Sequence, residues 1–581
     1  MDIGNVFDDI DLDGPIEIVD EELVKAKKKP GVKGAADENA VCNDVNYLPD
    51  KTDKKIVINR AGAYIKFSDI SASSEEKRLK LVRKIENYFT LKSMQIMGHI
   101  KQMKRCVVNK NLKVLIVPRY GVFEVLNKKY GLSGYYTKSV LSDGEDRPDS
   151  FKWTGSLRHN QQVVVDYINK NNFSTRHVRR GSAGCILNLE AGQGKTYIAS
   201  YFIGQLKKKT AVILHSTSMV EQWANDLRAC YGKDLKIGYY YAGKKIDGDI
   251  MLIIINSSVN DEFVFKDKTL KYPEFYSQFG FIIMDECHKY ANKMGGKIFK
   301  RGQAPYMLGL SATPDENADK FDPVVWWGLG PVINAKNMTG YISTDNLFTG
   351  TVNRIMYYGG QLHTKIIRNQ YTDMISVSET ISMICEDEFR NNIIIDCIEK
   401  CLQDNLYTFV FADRREYLEK LRKKLIIRIG NDTDSDILVT KSDYVRIVGG
   451  AKNAELDSAA KHSKVIFTTY QYMGTGKSIP KMNALVLATP RKSKMKQYIK
   501  RIFRLGSDAK INRIIYDIVD MKLTIKNQWS KRKEFYTDNN FKIDMVKIRS
   551  DADEKTRIKA KNTKPIDTDN ELQNKLYNLL Q

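Results

Sequence analysis

The chain has 581 residues, which is enough for three or four domains at about 150 residues each. With 42% hydrophobic and 28% charged residues, its composition is that of a soluble globular protein and excludes a membrane-embedded, collagen-like or fully disordered chain. Lysine and arginine total 93 against 70 aspartates and glutamates, so the formal charge is +23. Such a charge favours a polyanionic partner such as nucleic acid, although a lysine-rich surface that only confers solubility is the alternative.

The eight cysteines are scattered and form no Cys-x-x-Cys pair, so neither a zinc ribbon nor a redox pair is indicated. The N-terminus lacks the basic and apolar regions of a signal peptide, and no apolar run reaches the ~18 residues of a membrane span. We therefore expect an intracellular, reduced, soluble monomer without a membrane partner.

Charge is unevenly distributed near the N-terminus. The first 24 residues contain nine acidic residues and no lysine or arginine, and a lysine cluster follows at once. Because such a block has little to bury, we expect a flexible tail over residues 1–55. A second, basic flexible tail is expected over 547–581, where residues 572–580 could form one short helix.

Residues 56–150 are expected to form a small α+β accessory domain. Helical periodicity that begins near Glu75 and Glu76 predicts a helix over 74–97. The apolar run 112–117 is followed by Pro118, which predicts a strand that ends in a turn. Composition assigns no function to this domain.

From residue 151 onward, short apolar runs alternate with helical segments, a pattern typical of a parallel α/β sheet. We expect one α/β domain over 151–345 and a second over 346–546, with a less regular stretch over 323–357 between them. The predicted strands are 184–189, 211–215, 250–255, 281–284 and 307–310 in the first domain, and 406–411, 464–468 and 484–488 in the second.

A candidate phosphate loop, Leu189–Thr196, follows the first of these strands. Its glycines would let backbone N–H groups surround phosphates at a helix N-terminus, with Lys195 on the terminal phosphates and Thr196 on Mg²⁺. Leu189 replaces the first glycine of the common pattern, and a chance Gly-Lys-Thr is the alternative. The predicted nucleotide-binding residues of the loop are Ala191, Gly192, Gln193, Gly194, Lys195 and Thr196.

Two further strand ends carry polar residues. Asp285 and Glu286 follow a buried apolar strand, where Asp285 would hold Mg²⁺ and Glu286 would polarise an attacking water; an acidic surface turn is the alternative. Ser311-Ala312-Thr313 ends the next strand, and its hydroxyls could exchange hydrogen bonds as phosphates come and go. We therefore expect ATP and Mg²⁺ as cofactors.

In this order the motifs resemble those of the superfamily 2 nucleic-acid helicases. The match over about 112–506 comprises motif I at Leu189–Thr196, motif II in a DECH form at Asp285–His288, motif III at Ser311–Thr313, motif IV at 406–421, motif V at 469–480 and motif VI at Gln497–Arg504. Two positions depart from the pattern: Ser478 stands where aspartate is common in motif V, and Lys500 replaces the usual glycine of motif VI. The implied fold class is α/β, with two tandem RecA-like parallel-sheet domains after the accessory domain.

Four segments resemble one branch, which contains the XPB-type, phage UvsW-type and poxvirus transcript-release helicases. They are the leucine-initiated motif I, Met219–Trp223, Gly238–Asp249 and Leu112–Tyr120.

The sequence Gly-Thr-Gly-Lys-Ser at 474–478 could pass for a second phosphate loop. This alternative is disfavoured, because Pro480 follows where the helix of a phosphate loop should continue.

The resemblance also implies roles for individual residues. Gln161 would read adenine, and Arg501 and Arg504 would arrive from the second domain to stabilise charge on the transferred phosphoryl group, with Gln497 beside them and Gly476 near the nucleotide. The residues predicted to couple nucleotide to nucleic acid are His288, Ser311, Ala312 and Thr313. The predicted nucleic-acid contacts are Trp223, Arg414 and Arg415.

We expect an ATP-dependent DNA helicase or translocase that acts in viral transcription termination and transcript release, or in DNA repair and recombination. The alternatives are an RNA helicase and an ATP-driven remodeller of a polymerase complex that separates no strands. A non-catalytic binding module is disfavoured, because Lys195, Glu286 and both arginines are present. Transcription or replication machinery is the expected partner besides nucleic acid, and a viral protein would act where viral transcription and replication occur or in the virion.

Overall fold

The computed structural model describes residues 55–550, apart from 95–99, 129, 133, 149–150, 190–191, 315–320, 343–348, 370–372, 431–442, 449–450, 452, 474–478, 480, 492–494 and 504–510. Both predicted tails therefore lie almost entirely outside the described residues. Within the described part of the chain, a small α+β domain precedes two α/β domains in tandem, so the predicted fold class is confirmed.

The accessory domain contains a five-stranded sheet, a two-stranded hairpin and two helices. Its elements are β1 (Lys55–Asn59), β2 (Gly62–Lys66), α1 (Glu75–Tyr88), β3 (Thr90–Met94), β4 (Ile100–Lys104), β5 (Val107–Asn109), β6 (Val114–Val117), α2 (Gly121–Asn127) and β7 (Tyr136–Ser139). The sheet has the order β5-β6-β2-β1-β7, and β3 pairs with β4 in the hairpin. The strand predicted before Pro118 is β6.

The helix predicted over 74–97 is wrong beyond Tyr88. The beginning is as expected, since the Ser74 hydroxyl accepts a hydrogen bond from the Lys77 backbone N–H (3.2 Å). The end differs because Phe89 is buried against Trp327, with ring centroids 4.9 Å apart, and the following residues pair antiparallel with β4. Cross-strand pairing and aromatic packing outweigh the helical pattern there.

The accessory domain is joined to the first α/β domain through Arg119, which is 2% exposed. Its guanidinium donates to the carbonyl oxygens of Gly181 (2.7 Å), Ala304 (2.6 Å) and Pro305 (2.8 Å) and to the Gln303 side-chain oxygen (3.1 Å). A buried cation is costly unless its donors are satisfied, and here neutral oxygens satisfy them.

The first α/β domain is built on an eight-stranded sheet. The described residues of the domain form ten strands, of which eight belong to this sheet: β8 (Gly184–Asn188), β9 (Thr210–Leu214), β10 (Ile237–Tyr241), β11 (Lys244–Ile246), β12 (Ile250–Ile254), β13 (Glu262–Phe265), β14 (Lys268–Lys271), β15 (Phe281–Asp285), β16 (Tyr306–Ser311) and β17 (Val332–Asn334). The sheet order is β11-β10-β12-β9-β15-β16-β8-β17, parallel except for β11, while β13 and β14 form a separate hairpin.

Helices cover both faces of this sheet. They are α3 (His159–Asn171), α4 (Thr175–Arg180), α5 (Lys195–Leu206), α6 (Thr217–Tyr231), α7 (Ile255–Ser258), α8 (Tyr272–Ser277), α9 (Ile298–Arg301) and α10 (Pro323–Leu329). Side chains alternate along β8, so that Cys185 and Leu187 enter the core beside α3, α5 and α6, whereas Ile186 enters the core beside α8, α9 and α10. Burial on both faces explains the continuous apolar runs in the sequence.

The second α/β domain has a seven-stranded parallel sheet. The strands are β18 (Gly350–Tyr358), β19 (Thr408–Ala412), β20 (Tyr444–Ile447), β21 (Val465–Thr469), β22 (Ala484–Leu487), β23 (Arg513–Asp520) and β24 (Lys542–Arg549), in the order β20-β21-β19-β22-β23-β18-β24. The helices are α11 (Val377–Cys385), α12 (Glu388–Gln403), α13 (Arg415–Gly430), α14 (Asn453–His462), α15 (Tyr470–Met473), α16 (Met495–Ile499) and α17 (Gln528–Asp538).

The eight strands predicted for these two domains are all present within two residues of their predicted ends. The prediction of a less regular stretch over 323–357 is wrong, because it contains α10, β17 and most of β18. Strand β18 lies between β23 and β24 and buries Val352, Ile355 and Tyr357, which makes it an interior strand of its sheet. The domain boundaries stay predictions, and β24 continues to Arg549, beyond the predicted boundary at 546.

Among the described residues, seven cysteines are free and buried, and no group of His, Cys, Asp and Glu side chains has the geometry of a metal site made by protein ligands alone. No helix in the described part of the chain is long and apolar enough to cross a membrane.

Candidate nucleotide site between the two α/β domains

The predicted phosphate loop runs from the end of β8 to Lys195, the first residue of α5. Gly192 (φ 85°) and Gly194 (φ 87°) have left-handed backbone conformations that other residues adopt only at a cost. The Lys195 ammonium donates to the Leu189 carbonyl at the beginning of the loop (2.8 Å). The loop thus curves around its own lysine at a helix N-terminus, although Ala191 lies outside the described residues.

Gln161 lies behind this loop, on the first turn of α3, and is 3% exposed. Its side-chain oxygen accepts from the Arg158 backbone N–H (2.9 Å), and its amide nitrogen lies 3.4 Å from the Gln193 carbonyl. A Cβ atom at position 194 would lie 2.3 Å from that amide nitrogen, so the close approach requires glycine. Gln161 therefore supports the loop, and its adenine-reading role stays a prediction.

The acidic pair stands at the end of β15. The two oxygens of the buried Asp285 carboxylate each accept one protein hydrogen bond, Oδ1 from the Glu286 backbone N–H (2.9 Å) and Oδ2 from the Trp223 indole (2.8 Å). Burial and the neighbouring Glu286 charge raise the pKa of Asp285 to about 6. Glu286 has φ 47°, an uncommon backbone conformation for this residue type that occurs preferentially at functional sites.

Glu286 lies near two lysines and two histidines. Burial alone would raise the pKa of this carboxyl, but the charges of Lys195, His288, Lys289 and His215 outweigh burial and hold the pKa below its usual value. The carboxylate is therefore ionised at neutral pH, as an acceptor for a water proton must be.

The residues of motifs II and III meet beside this pair. His288 Nδ1 lies 2.8 Å from the Ser311 hydroxyl and 3.4 Å from Glu286 Oε2. The same hydroxyl accepts from the Thr313 backbone N–H (3.1 Å), and the Ser311 carbonyl accepts from the Leu189 backbone N–H (3.1 Å). The acidic pair, the strand-end hydroxyls and the phosphate loop are thus linked by hydrogen bonds, as a coupling role requires.

Arg501 comes from the second α/β domain and is 3% exposed in a 3-10 helix, Lys500–Ile502. The buried Arg513 holds this helix in place, because its Nε donates to the Ile502 carbonyl (3.1 Å). Arg504 and Gly476 lie outside the described residues. Gln497 is on α16, but its side chain also lies outside the described part of the structure.

A cavity of about 740 Å³ joins these groups. The predicted site residues that line it are Gly192, Gly194, Lys195, Thr196, Asp285, Glu286, Ala312, Thr313 and Arg501. Residues of both α/β domains therefore face one space. Four predicted site residues do not line the cavity: Gln161, Gln193, His288 and Ser311. Any effect of these residues on a bound nucleotide would pass through neighbouring residues.

Sequence reasoning missed part of the lining. The lining residues that were not predicted as site residues are Asn188 at the end of β8, Tyr197 and Ser200 on α5, Met219, Gln222, Asp226, Ala229 and Cys230 on α6, Asn334 at the end of β17, Ala335, Lys336, Tyr341, Lys500, and Phe535, Asp538 and Asn539 at the end of α17. Met219 and Gln222 belong to a segment that resembles one helicase branch, and Lys500 belongs to motif VI, but no phosphate-binding or acidic pattern in the sequence marks the other residues as part of the site. Burial raises the pKa of Asp226 to about 6.

The nucleic-acid contact predicted for Trp223 is wrong. Its side chain is 1% exposed and its indole N–H is directed at Asp285, so it has no surface to offer to a strand. Arg414 donates to the Ser378 carbonyl (3.0 Å) and to the hydroxyls of Ser378 (2.7 Å) and Ser382 (3.1 Å), while Arg415 is exposed at the start of α13. Nucleic-acid contacts by these two arginines stay predictions.

Part of the chain matches a known protein family, and viral proteins are similar to most of it. Residues 154–316 match the family described as "Type III restriction enzyme, res subunit". An African swine fever virus protein (isolate Pig/Kenya/KEN-50/1950), named as a candidate ATP-dependent RNA helicase, is 29% identical over 66% of this chain and 73% of its own length. Fowlpox virus (strain NVSL) "Transcript termination protein A18" is 25% identical over 74% of this chain and 88% of its own length.

Among solved structures, T4 UvsW matches 85% of this chain and 99% of its own, at 17% identity and a TM-score of 0.33. The family match covers the strands that carry motifs I, II and III, and the similarity to the two viral relatives extends over 66% and 74% of the chain. The matched region and the names of the viral relatives indicate that the chain is an ATP-hydrolysing helicase enzyme, with Asp285–His288 as its DECH sequence.

Proposed function

We propose that the chain couples ATP hydrolysis to movement along DNA, as a translocase or helicase whose nucleotide binds between the two α/β domains. One observation carries the proposal: Lys195 and Glu286 of the first domain and Arg501 of the second line the same cavity. A site shared between two domains would link hydrolysis to their relative motion, because ATP would contact both domains and hydrolysis would remove the phosphoryl group that Arg501 contacts.

The donor set suits Mg²⁺ and the phosphates of ATP. The backbone of the glycine loop and Lys195 would hold the phosphates, while the Thr196 hydroxyl and the Asp285 carboxylate are the hard oxygen ligands that Mg²⁺ prefers. Both side chains line the cavity within the same domain. Bound Mg²⁺ would neutralise charge on the phosphate oxygens.

The remaining residues supply the chemistry of hydrolysis. Glu286 would accept a hydrogen bond from the attacking water and orient it, which its lowered pKa favours. Arg501 would stabilise the charge that develops on the transferred phosphoryl group. Hydrolysis removes the group that Arg501 contacts, so the cavity can open, and His288 and Ser311 would transmit that change.

DNA is the favoured nucleic-acid substrate. The net charge of +23 suits a phosphate backbone, and the segments Met219–Trp223 and Gly238–Asp249 resemble the repair and transcript-release branch. An RNA helicase is the second candidate, favoured by the names of the African swine fever virus relative and of a mimivirus relative, a candidate ATP-dependent RNA helicase 24% identical over 76% of this chain. The fowlpox relative's name favours a partner in the transcription machinery.

The discriminating experiment measures ATPase rate with single-stranded DNA, duplex DNA and RNA at one stated salt concentration, together with unwinding of a forked duplex. Stimulation by DNA with unwinding supports the proposal. Stimulation without unwinding supports the remodeller, and selective stimulation by RNA supports the RNA helicase. Salt must be fixed because phosphate binding weakens steeply as salt rises.

Glu286→Gln is expected to bind ATP normally but to lower the turnover rate by about 10²-fold or more, because the amide cannot accept the water proton. ATPase assays and nucleotide-binding titrations measure the two properties separately. Glu262→Gln, on the exposed side of β13, is the matched control and should behave as wild type. Normal turnover in the Glu286 variant would show that another group orients the water.

A further inference from the structure

The indole of Trp223 reaches the acidic pair from the side of α6. Nε1 donates to Asp285 Oδ2 at 2.8 Å, in a buried setting where the indole ring belongs to the core between α6 and the first large sheet. A buried indole N–H needs an acceptor, and here the acceptor is a carboxylate that lines the nucleotide cavity.

Hydrogen bonds to both oxygens hold the Asp285 carboxylate in one orientation. Oδ2 is held by Trp223 and Oδ1 by the Glu286 backbone N–H. The main chain is fixed as well, because the Tyr290 hydroxyl donates to the Asp285 carbonyl (3.0 Å) and lies 3.1 Å from the Ile213 carbonyl on the neighbouring strand. A carboxylate has about four lone-pair positions, so each oxygen keeps one for the cavity.

We propose that Trp223 is a positioning residue for Mg²⁺: its indole N–H holds the Asp285 carboxylate so that the remaining lone pairs face the metal. This inference rests on the proposed function, since it takes Asp285 as the side chain that faces Mg²⁺. Tryptophan suits this role because the indole N–H is a hydrogen-bond donor only. The indole therefore does not compete as a metal ligand, and its protonation state does not change with pH.

The position of Trp223 on α6 adds a second effect. Three residues of the same helix line the cavity. Met219 lies four residues before Trp223, Gln222 one residue before it, and Asp226 three residues after it. A shift of α6 would therefore move the cavity wall and the Asp285 donor together. Trp223 therefore acts on the magnesium ligand in the nucleotide site and does not contact nucleic acid.

Trp223→Phe keeps an aromatic ring and removes the donor. We expect the Mg²⁺ concentration for half-maximal binding of a fluorescent ADP analogue to rise about 10-fold or more in the full-length chain, the scale seen when a hydrogen-bond partner of a metal ligand is removed. Binding of the same analogue without Mg²⁺ should stay unchanged. The ATPase rate should show the same shift in its Mg²⁺ dependence, with partial recovery at high Mg²⁺.

Trp327→Phe is the matched control. Its indole is also buried and its Nε1 faces a carboxylate, Glu124 Oε2 at 3.4 Å, but at the contact between the accessory and first α/β domains. This variant should keep the wild-type Mg²⁺ dependence. Equal Mg²⁺ dependence in the Trp223 variant, the Trp327 variant and wild type would overturn the inference.

Wild-type protein labelled with 5-fluorotryptophan keeps the inference testable if the Trp223 variant fails to fold. Adding Mg²⁺ to the ADP complex should shift the Trp223 fluorine resonance and leave that of Trp327 in place. An unshifted Trp223 resonance with Mg²⁺·ADP bound overturns the positioning role alone. A wild-type chain that binds no Mg²⁺·nucleotide and hydrolyses no ATP contradicts the proposed function instead.

Discussion

Lys195→Ala is expected to abolish ATP turnover, with a loss of about 10³-fold or more in kcat/KM, while thermal unfolding remains cooperative. The variant removes the ammonium that would contact the terminal phosphates, at a position on the first turn of α5 where alanine is a good helix former. It also removes one of the positive charges that hold the pKa of Glu286 below its usual value. ATPase assays and calorimetry measure both outcomes.

Lys233→Ala provides the control, because this lysine is exposed beyond the end of α6. It removes the same charge from the same domain at a position outside the cavity lining and should leave turnover unchanged. Normal turnover in the Lys195 variant would mean that the loop after β8 does not bind the phosphates of ATP.

Arg501→Ala is expected to lower kcat by about 10³-fold or more and to leave the affinity for nucleotide close to wild type. The guanidinium belongs to the second domain, and the 3-10 helix that carries it is held by the hydrogen bond from Arg513 Nε to the Ile502 carbonyl, so Arg501 can act on charge that develops in the transition state. Single-turnover ATP hydrolysis and ADP binding separate the chemical step from nucleotide affinity.

Arg368→Ala is the control for this change, since Arg368 lies in the second domain at 55% side-chain exposure and its guanidinium contacts the carbonyl and the exposed carboxylate of Asp373. Its turnover should equal that of wild type. An Arg501 variant with an unaffected rate would remove the two-domain model of catalysis, even if the Lys195 result is as expected.

The sequence predicted the parts of the fold in which local and tertiary preferences agree. Strands β8, β15 and β16 are buried on both faces, and each is followed by polar residues whose types suit phosphate or metal binding. These properties are visible in a single sequence. Lys195, Asp285 and Thr313 could therefore be identified as site residues from the sequence alone.

Other features depend on contacts between distant segments. Trp223 could not be assigned from sequence, because its direction depends on how α6 packs beside β15. The end of α1 is set by the contact of Phe89 with Trp327, more than two hundred residues away. Phe535 and Asp538 reach the cavity only because the two domains face each other, and no local pattern reports that.

The buried Arg119 has a consequence for how the chain can be divided. Its three backbone acceptors precede β8 and β16, the strands whose opposite ends carry the phosphate loop and Ser311. Trp327 in turn completes the apolar core of the accessory domain. A cut at residue 150 would expose these carbonyls and the Trp327 ring together. We therefore expect the accessory domain and the first α/β domain to fold and move as one unit.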